Sequence, residues 1–330
     1  LFGAQYATTG AADLTSSLVP LATYIREFDP AIDFQNNLPT TGREYRDHLK
    51  ELEDNAPSIE RATYNIELAT NLVATVDPAA FPSFLQDDVV WLKERNSELS
   101  TQLEPASKLA TFLPQILGLD ERARYAILLQ NNSEIRATGG WLTSYAIIAI
   151  ENGQIRELAV DDIYNADGQL KVQNKEYPAP ESMQEALGVE NWLFSYANWD
   201  PDLSETADAV EFFIRELDPG TQLDGVITID TEFMKSLLEE WEGIAVPGED
   251  ELITAQNLDQ KIYDIHTEFT PGSSVKATFL ANLANETLKK LLSADLEGYG
   301  EIGDVFIQSM NQKHLMLYLK QRDALEYFSA

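Results

Sequence analysis

Cysteine is absent from the 330-residue chain, which excludes disulfides, thiolate zinc sites and a cysteine nucleophile. Histidine is scarce, and His48, His266 and His314 do not stand at the spacing of a histidine-ligated metal site. No serine lies in a Gly-x-Ser-x-Gly elbow. The sequence therefore disfavours zinc enzymes and triad hydrolases, and it leaves the redox compartment open.

Basic residues are also few, because 23 Lys and Arg stand against 55 Asp and Glu and give a net charge of -32. They are scattered along the chain, so the sequence lacks a surface that could follow a nucleic-acid backbone. We interpret the acidity as a solvated, mutually repelling surface, with a specific cation-binding role as the alternative.

Long apolar runs are missing as well. No stretch of 18 apolar residues occurs, and the chain opens with LFGAQYATTG rather than with Met and a charged leader. We therefore expect a processed product or a fragment, with membrane attachment through an anchor outside the given sequence.

Residues 1–118 are predicted to form a helical stalk region. Apolar or small residues, Thr63 and Thr70 among them, recur at alternating steps of three and four in 49–73 and 85–113, which is the heptad period of packed helices. The segment 77–82 contains two prolines and is short enough only for a reversal, so the two helices should form a long antiparallel hairpin. A shorter amphipathic helix is predicted at 14–25. An inert stalk is favoured over a partner-binding coiled coil.

Residues 119–330 are predicted to form an α/β (α+β) domain, a mixed central sheet flanked by helices. Asn152-Gly153 between two apolar runs is a strong hairpin signal. The segment 172–180, with two prolines, is predicted to be a loop. Apolar patterns predict strands at 125–130, 142–150, 154–160, 223–229 and 314–319, and helices at 205–216, 231–241, 274–293 and 300–310.

The first polar cluster that follows a predicted strand contains Asn131, Arg136 and the pair Gly139-Gly140. Glycines let backbone N–H groups approach an oxyanion closely, and a guanidinium can bind it bidentately, which predicts a phosphate or carboxylate site. On composition alone, a tight turn in which Arg136 pairs with Glu134 or another carboxylate is favoured, since the loop is neither a Walker A loop nor a dinucleotide fingerprint.

The second cluster places Asp161 and Asp162 directly after a predicted strand. An EF-hand is excluded, because Ile163 stands where the first Asp of the calcium loop should be and Asn174 where its bidentate Glu should be. A looser Mg²⁺ or Ca²⁺ site at Asp161 or Asp162 stays open beside the interpretation as turn and capping carboxylates.

The third cluster precedes the predicted helix at 205–216, and Asp202 or Ser204 is its expected N-cap. Capping leaves Asn198, Trp199 and Asp200 unexplained, and these side chains could line a polar ligand pocket. Since no nucleophilic constellation is visible, the remaining enzymatic hypothesis is metal- or Arg-assisted phosphoryl transfer.

Five segments resemble, in order, the motif series of a bacterial family of envelope proteins labelled a domain of unknown function. They read RYAILLQNNSEIRATGGWLTSYAIIAIENGQI, DIYNADGQL, ANWDPDLSETA, LDGVITIDTEFMKSLLE and KHLMLYL. Members of that family typically carry an N-terminal membrane helix and a helical region before the domain. The resemblance therefore implies an extracytoplasmic, extracellular location in the envelope of a bacterium, while residues 1–118 match only in character.

The layout is more distantly similar to the LytR-CpsA-Psr family, which moves glycopolymers from polyprenyl pyrophosphate carriers onto the cell wall with Mg²⁺ and several arginines. By position, that family's Arg-Ser-Asp-Thr motif falls on 136–139, its Pro-Arg-Asp motif on 160–162 and its Asp-His-Tyr strand on 224–226. Arg136, Asp162 and Asp224 match directly.

Three positions depart from that family's pattern. Thr138 stands in place of the metal-binding Asp, and Asp161 stands in place of the Arg before the second Asp. Near the end of the chain, Lys276 alone represents an arginine-rich helix. The departures remove most of the positive charge that would hold a pyrophosphate.

These observations lead to one leading hypothesis and two alternatives. The leading hypothesis is a cell-envelope domain that binds an anionic lipid-linked or cell-wall glycan, such as a polyprenyl phosphate lipid, in a cleft of three polar loops, with little or no catalysis. The alternatives are a Mg²⁺-dependent phosphotransferase that moves glycopolymer to the cell wall, and a structural or surface-layer component. The predicted cleft residues are Arg136, Asp162, Asn198 and Asp200; predicted catalytic residues are Arg136 and Asp162; predicted ligand-binding residues are Asn131, Arg136, Gly139, Gly140, Asn198, Asp200 and Asp224; and predicted metal ligands are Asp161 and Asp162.

Overall fold

The computed structural model describes residues 46–267, 275–293 and 296–320. These residues form two compact units, one made of 46–122 with 150–154 and the other of the remaining described residues from 123 onward. The predicted helix at 14–25 lies outside the described residues. The domain boundary predicted after residue 118 stays a prediction.

The first unit contains the predicted helical hairpin. Helix α1 spans Arg46–Ala74, helix α2 spans Ser83–Ile116, and a short 3-10 helix at Pro78–Ala80 lies in the turn between them. The two helices pack against each other. The buried residues of α1 are Leu49, Leu52, Ile59, Ala62, Ile66, Ala69 and Val73.

This buried stripe follows the predicted heptad spacing, with one local shift. Ala62 and Ala69 are buried where the pattern had selected Thr63 and Thr70. Both threonine hydroxyls instead donate hydrogen bonds to backbone carbonyls one turn earlier in α1. The alanines therefore belong to the buried stripe of α1, and the threonines are only partly buried.

The second unit is built on a five-stranded mixed sheet with the order β3-β2-β1-β6-β7. Strands β1 and β6 run parallel, whereas β6 and β7 run antiparallel. Each strand overlaps one of the five predicted apolar runs, although β6 and β7 begin two residues and one residue later than predicted, so the predicted mixed sheet is confirmed. Their bounds are β1 Ala123–Asn131, β2 Trp141–Glu151, β3 Gln154–Asp162, β6 Gly225–Asp230 and β7 Leu315–Leu319.

Helices cover both faces of the sheet, and a two-stranded ribbon, β4 Tyr177–Pro178 with β5 Asn191–Trp192, lies apart from it. The ribbon begins inside the segment that was predicted to be a loop. Of the helices, α5, α6, α8 and α9 match predicted ones, whereas α3, α4 and α7 were not predicted. The helices are α3 Ile163–Val172, α4 Glu181–Leu187, α5 Leu203–Leu217, α6 Thr231–Glu240, α7 Leu258–Thr267, α8 Val275–Leu292 and α9 Leu296–Gln312.

Each face of the sheet carries its own core. Alternate residues of a strand point to opposite faces, so Ala126 and Leu128 pack with α3 and α5 on one side, whereas Ile127 and Leu129 face α6 and α8 on the other. The first core is closed by Phe213, and burial of such a side chain contributes about 1.5–3 kcal/mol to stability. The predicted arrangement of a mixed sheet flanked by helices is confirmed.

Over the three described ranges, no helix has both the length and the apolar character that a membrane span requires.

Candidate functional site

The carboxyl ends of β1, β3 and β6 meet at one edge of the sheet, where β2 also begins. The parallel register pairs Gln130 with Asp230, so the residues that follow β1 and β6 emerge side by side. Ligand sites in open α/β sheets are commonly found beyond the carboxyl ends of strands. Most of the predicted site residues lie at this edge, which we call the carboxyl edge.

The loop at 131–140 is held by its own polar groups. The side chain of Gln130 donates to the Thr138 hydroxyl at 2.9 Å and accepts from the Gly140 N–H at 3.2 Å. Gly139 has a φ of +125°, and a Cβ on Gly140 would lie 2.4 Å from the carbonyl oxygen of Asn131. The two glycines are therefore required by the turn itself, and their predicted ligand contacts stay predictions.

Asn198 is hydrogen-bonded to the loop at 131–140. Its side chain is 1% exposed, and its amide nitrogen donates to the Gly140 carbonyl at 2.8 Å and to the Thr138 hydroxyl at 3.1 Å. Asp200 is exposed and accepts from the backbone N–H of Asp202, which in turn caps α5. Asn198 therefore lies with the first polar cluster, whereas the carboxylate of Asp200 braces the start of α5.

A line of alternating cations and aromatic rings crosses the carboxyl edge. The guanidinium of Arg136 lies 4.4 Å from the ring centre of Trp141 and donates to the Ile135 carbonyl. The indole N–H of Trp141 donates to the hydroxyl of Tyr164 at 3.0 Å. The ammonium of Lys276 lies 5.8 Å from the Tyr164 ring. This line connects the predicted Arg136 to Lys276.

Lys276 ends that line in a buried ion pair with Asp162. The ammonium lies 2.9 Å from one carboxylate oxygen and donates to the Thr143 carbonyl at 2.9 Å. Lys276 is 9% exposed and Asp162 is 2% exposed. The other oxygen of Asp162 accepts from the backbone N–H of Tyr164 and caps α3.

The neighbouring Asp161 carboxylate accepts from the Asp162 N–H at 2.8 Å and from the Asn165 amide at 3.0 Å. The two aspartates therefore already have hydrogen-bond donors or a cation beside them, and the Lys276 ammonium takes the place next to Asp162 that Mg²⁺ would need. Within the described ranges, no group of three or more acidic, histidine or cysteine side chains could hold a metal ion. The arrangement of the Asp161 and Asp162 carboxylates therefore does not fit a resident magnesium ion. Metal binding by these two residues is a prediction that the geometry does not support.

Asp224 lies away from the other predicted residues. It stands just before β6, where its side chain accepts from the Arg124 N–H at 2.7 Å. Six residue steps along β6 separate it from Asp230, which is about 20 Å at the rise of an extended strand. The parallel pairing of β1 and β6 thus places Asp224 at the amino end of the strands, and a shared ligand with Arg136 has no support from the fold.

The structure also brings together residues that the sequence had not connected. Nδ1 of His314 lies 2.7 Å from a carboxylate oxygen of Asp230, whose other oxygen caps α6. The Thr231 hydroxyl is hydrogen-bonded to the Asn132 side chain. An Asp-Thr pair directly after a strand is a recognisable helix-capping signal. The partner of Asp230 could not be read from the sequence, because it depends on β7 pairing with β6.

Behind the carboxyl edge, an apolar cavity of about 260 Å³ lies between the sheet and helices α6–α9. Its polar lining lies mainly at the carboxyl edge, and it consists there of Gln130, Asn131, Thr143, Asp230, Thr231 and Lys276. Arg136 is connected to this rim through Trp141 and Tyr164. The apolar walls include Ile127, Leu129, Ile227 and Ile229 from the sheet and Phe233, Leu237, Ile262, Phe279, Leu283 and Phe306 from the helices.

Residues 120–264 match the model of a family described as a protein of unknown function (DUF4012), which confirms over that segment the predicted resemblance to a family of unknown function. No curated protein matches the chain.

Several solved structures are similar to this chain. The Lin1025 protein from Listeria innocua has 12% identity and a TM-score of 0.37 over 63% of this chain and 77% of that chain. TagV from B. subtilis has 11% identity and a TM-score of 0.36 over 63% and 78%, and TagT bound to LI-WTA has 12% and 0.26 over 62% and 73%. At such identities and TM-scores the likeness carries no argument about activity.

Proposed function

We propose that the second unit is an extracytoplasmic domain of a bacterial cell envelope that binds a lipid-linked glycan carrier of the polyprenyl phosphate class. The apolar chain of the lipid occupies the cavity, and its anionic head group lies at the carboxyl edge beside Lys276. The observation that carries the proposal is the cavity itself, which combines apolar walls with a polar rim at one end.

The size of the cavity supports a bound ligand. An engineered apolar cavity of about 150 Å³ already takes up benzene, and this one is about 260 Å³. The space is therefore large enough to take several isoprenoid carbons, and its apolar walls match such a chain.

The rim supports an anionic head group. Lys276 lies in the first turn of α8. The partial positive charge of the helix N-terminus therefore lies close to the positive charge of the ammonium. Asn131 and Thr231 line the same rim. The Asn131 amide nitrogen can donate to a phosphate oxygen, whereas the Thr231 hydroxyl already donates to the Asn132 side chain. Because Asp162 neutralises Lys276 in the ligand-free protein, we expect selective but moderate binding of a single phosphate.

The ion pair between Lys276 and Asp162 is also an argument for a domain with little or no catalytic activity. Phosphoryl transfer depends on concentrated positive charge around the transferred group. At this edge the Asp162 carboxylate binds Lys276 rather than a metal, and Thr138 is committed to Gln130 and Asn198. The phosphotransferase alternative would gain support from magnesium-dependent cleavage of a pyrophosphate lipid by the full chain, and the structural alternative from ordered self-association.

The proposal is tested with geranylgeranyl phosphate and geranylgeraniol, which share a chain and differ in the head group. We expect the full chain to bind the phosphate more tightly than the alcohol in a fluorescence titration. The double variant Lys276→Met/Asp162→Asn removes both charges without leaving one buried alone. It should erase the preference and keep alcohol binding.

The matched control is Lys50→Met, at an exposed lysine of α1. It should leave the preference intact. Failure of the wild-type chain to bind either lipid would contradict the proposal, and an unchanged preference in the double variant would contradict the role of Lys276.

A further inference from the structure

A second groove of about 410 Å³ lies on the other side of the sheet, between α3 and the segment 189–196. It shares no lining residue with the apolar cavity. Its character also differs, because aromatic rings and apolar side chains alternate with charged and amide groups around it. The lining that matters here consists of Asp167, Lys171, Glu190, Asn191, Trp192 and Tyr196.

The two aromatic rings of the groove are held in place from behind. Trp192 stacks on Phe212 with ring centres 5.5 Å apart, and the edge of Phe213 meets it at 4.9 Å. Tyr196 meets the edge of Trp141 at 5.2 Å. A ligand that packs against these rings therefore finds them already oriented, which lowers the entropy cost of binding.

The polar groups around the rings offer both donors and acceptors. Glu190, Asn191 and Lys171 are exposed and can reorient toward a ligand. The Asp167 carboxylate is fixed by the backbone N–H groups of Phe194 and Ser195, at 2.6 and 3.3 Å. A ligand rich in hydroxyl groups matches this set, because each hydroxyl both donates and accepts.

The charge of the groove disfavours an anionic ligand. Asp167, Glu176 and Glu190 contribute three carboxylates, whereas Lys175 is paired with Glu216 at 3.1 Å. Among the lining residues, Lys171 is then the cation that balances the three carboxylates, so the groove has an excess of negative charge. A phosphate or an acidic peptide would be repelled, and a neutral molecule with apolar ring faces and a rim of hydroxyls fits best.

We infer that this groove is a binding subsite for neutral sugar rings. The C–H faces of a pyranose pack on Trp192 and Tyr196, and its hydroxyls bind the surrounding amide, ammonium and carboxylate groups. The inference rests on the proposed function, because it assumes a ligand whose lipid part lies in the apolar cavity. The groove and the carboxyl edge are connected through Tyr196, which contacts Trp141 in the line of rings that ends at Lys276. The groove thus takes the glycan part of a ligand whose lipid part lies in the cavity.

The test is a titration of the full chain with maltotetraose, tetra-N-acetylchitotetraose and a rhamnose tetrasaccharide. Binding is measured by calorimetry and by ligand-observed NMR. We expect binding of at least one of them. The variant Glu190→Gln/Asn191→Ala changes two exposed side chains and should weaken that binding roughly tenfold or more. Trp192→Phe, which keeps a ring on the Phe212 stack, should weaken it by a smaller factor.

The control is Glu185→Gln, an exposed glutamate on α4, which should leave sugar binding unchanged. Absence of binding for all three sugars, or binding that ignores Glu190 and Asn191, would overturn the inference. Lipid binding is read separately with geranylgeranyl phosphate. Sugar binding without lipid binding would overturn the proposed function alone, and the reverse result would overturn the groove alone.

Discussion

Ala284 offers a direct way to fill the apolar cavity. It lies on α8 and lines the cavity with a single methyl group, so Ala284→Phe adds a ring without removing an existing contact. If the space is empty in the free protein, the ring is accommodated there. Cavity filling of this kind commonly raises the free energy of unfolding by about 0.5–2 kcal/mol.

The same substitution should act in the opposite direction on lipid binding. A phenyl ring that displaces about four methylene groups of a bound chain removes about 0.8 kcal/mol for each, or roughly 3 kcal/mol in total. A loss of that size weakens binding by about 200-fold. Ala284→Phe should therefore raise the free energy of unfolding and lower the affinity for the lipid.

Urea denaturation measures the first effect, and titration with geranylgeranyl phosphate measures the second. Ala186→Phe, at an exposed alanine of α4, is the matched control and should change neither by much. If Ala284→Phe destabilises the protein by the 1–3 kcal/mol typical of an overpacked core and leaves lipid affinity unchanged, the reasoning about an empty lipid-binding space is refuted.

Two further predictions concern stability. Asn198→Ala leaves the buried Gly140 carbonyl without its donor, so unfolding should become easier by about 1–3 kcal/mol and amides of 131–140 should exchange faster, whereas exposed Asn191→Ala should do neither. Burial raises the pKa of both Tyr125 and Tyr145, so their stabilising contribution is complete below about pH 10 and falls above it, by up to about 1.4 kcal/mol per pH unit for each. Tyr145→Phe should make the fall of stability with pH shallower in urea denaturation between about pH 9 and pH 11. Tyr125, Tyr164 and Tyr177, whose pKa values burial also raises, should keep part of the slope. An unchanged slope would contradict the assignment.

The sheet and the hairpin could be predicted because apolar periodicity decides them. The turn between β2 and β3 is an example, since Asn152 and Gly153 adopt φ values of 51° and 76°, as the Asn-Gly signal requires. Helix α1 likewise follows its heptad spacing. In both cases the signal lies within a few residues, and no distant contact has to be known.

Helix α3 was missed because its sequence combines turn-forming residues with a helical role. Asp161, Asp162, Asn165 and Gly168 favour turns and ion-binding loops by composition. In the fold, Asp162 caps the helix and Ile163 is fully buried in the core. Tertiary packing outweighed the weak local helix propensity of this segment.

The candidate site was only partly predictable for a different reason. Loop 131–140 and Asn198 lie together at the carboxyl edge, and their role in ligand binding stays a prediction. The pairs that complete this edge are long-range. Asp230 and His314 are 84 residues apart and meet only because β7 pairs with β6. Asp224 lies away from the site because it stands at the amino end of β6, which runs parallel to β1, and apolar patterns do not reveal strand direction.

The central claim is that a polyprenyl chain lies between the sheet and α8 with its phosphate beside Lys276. A crystal structure of the full chain with geranylgeranyl phosphate tests it most directly. We predict electron density for the chain between Ile229 and Leu283, with a phosphate oxygen about 2.7–2.9 Å from the Lys276 ammonium. Density for the lipid at another place, or a cavity that stays empty at saturating lipid, would contradict the account.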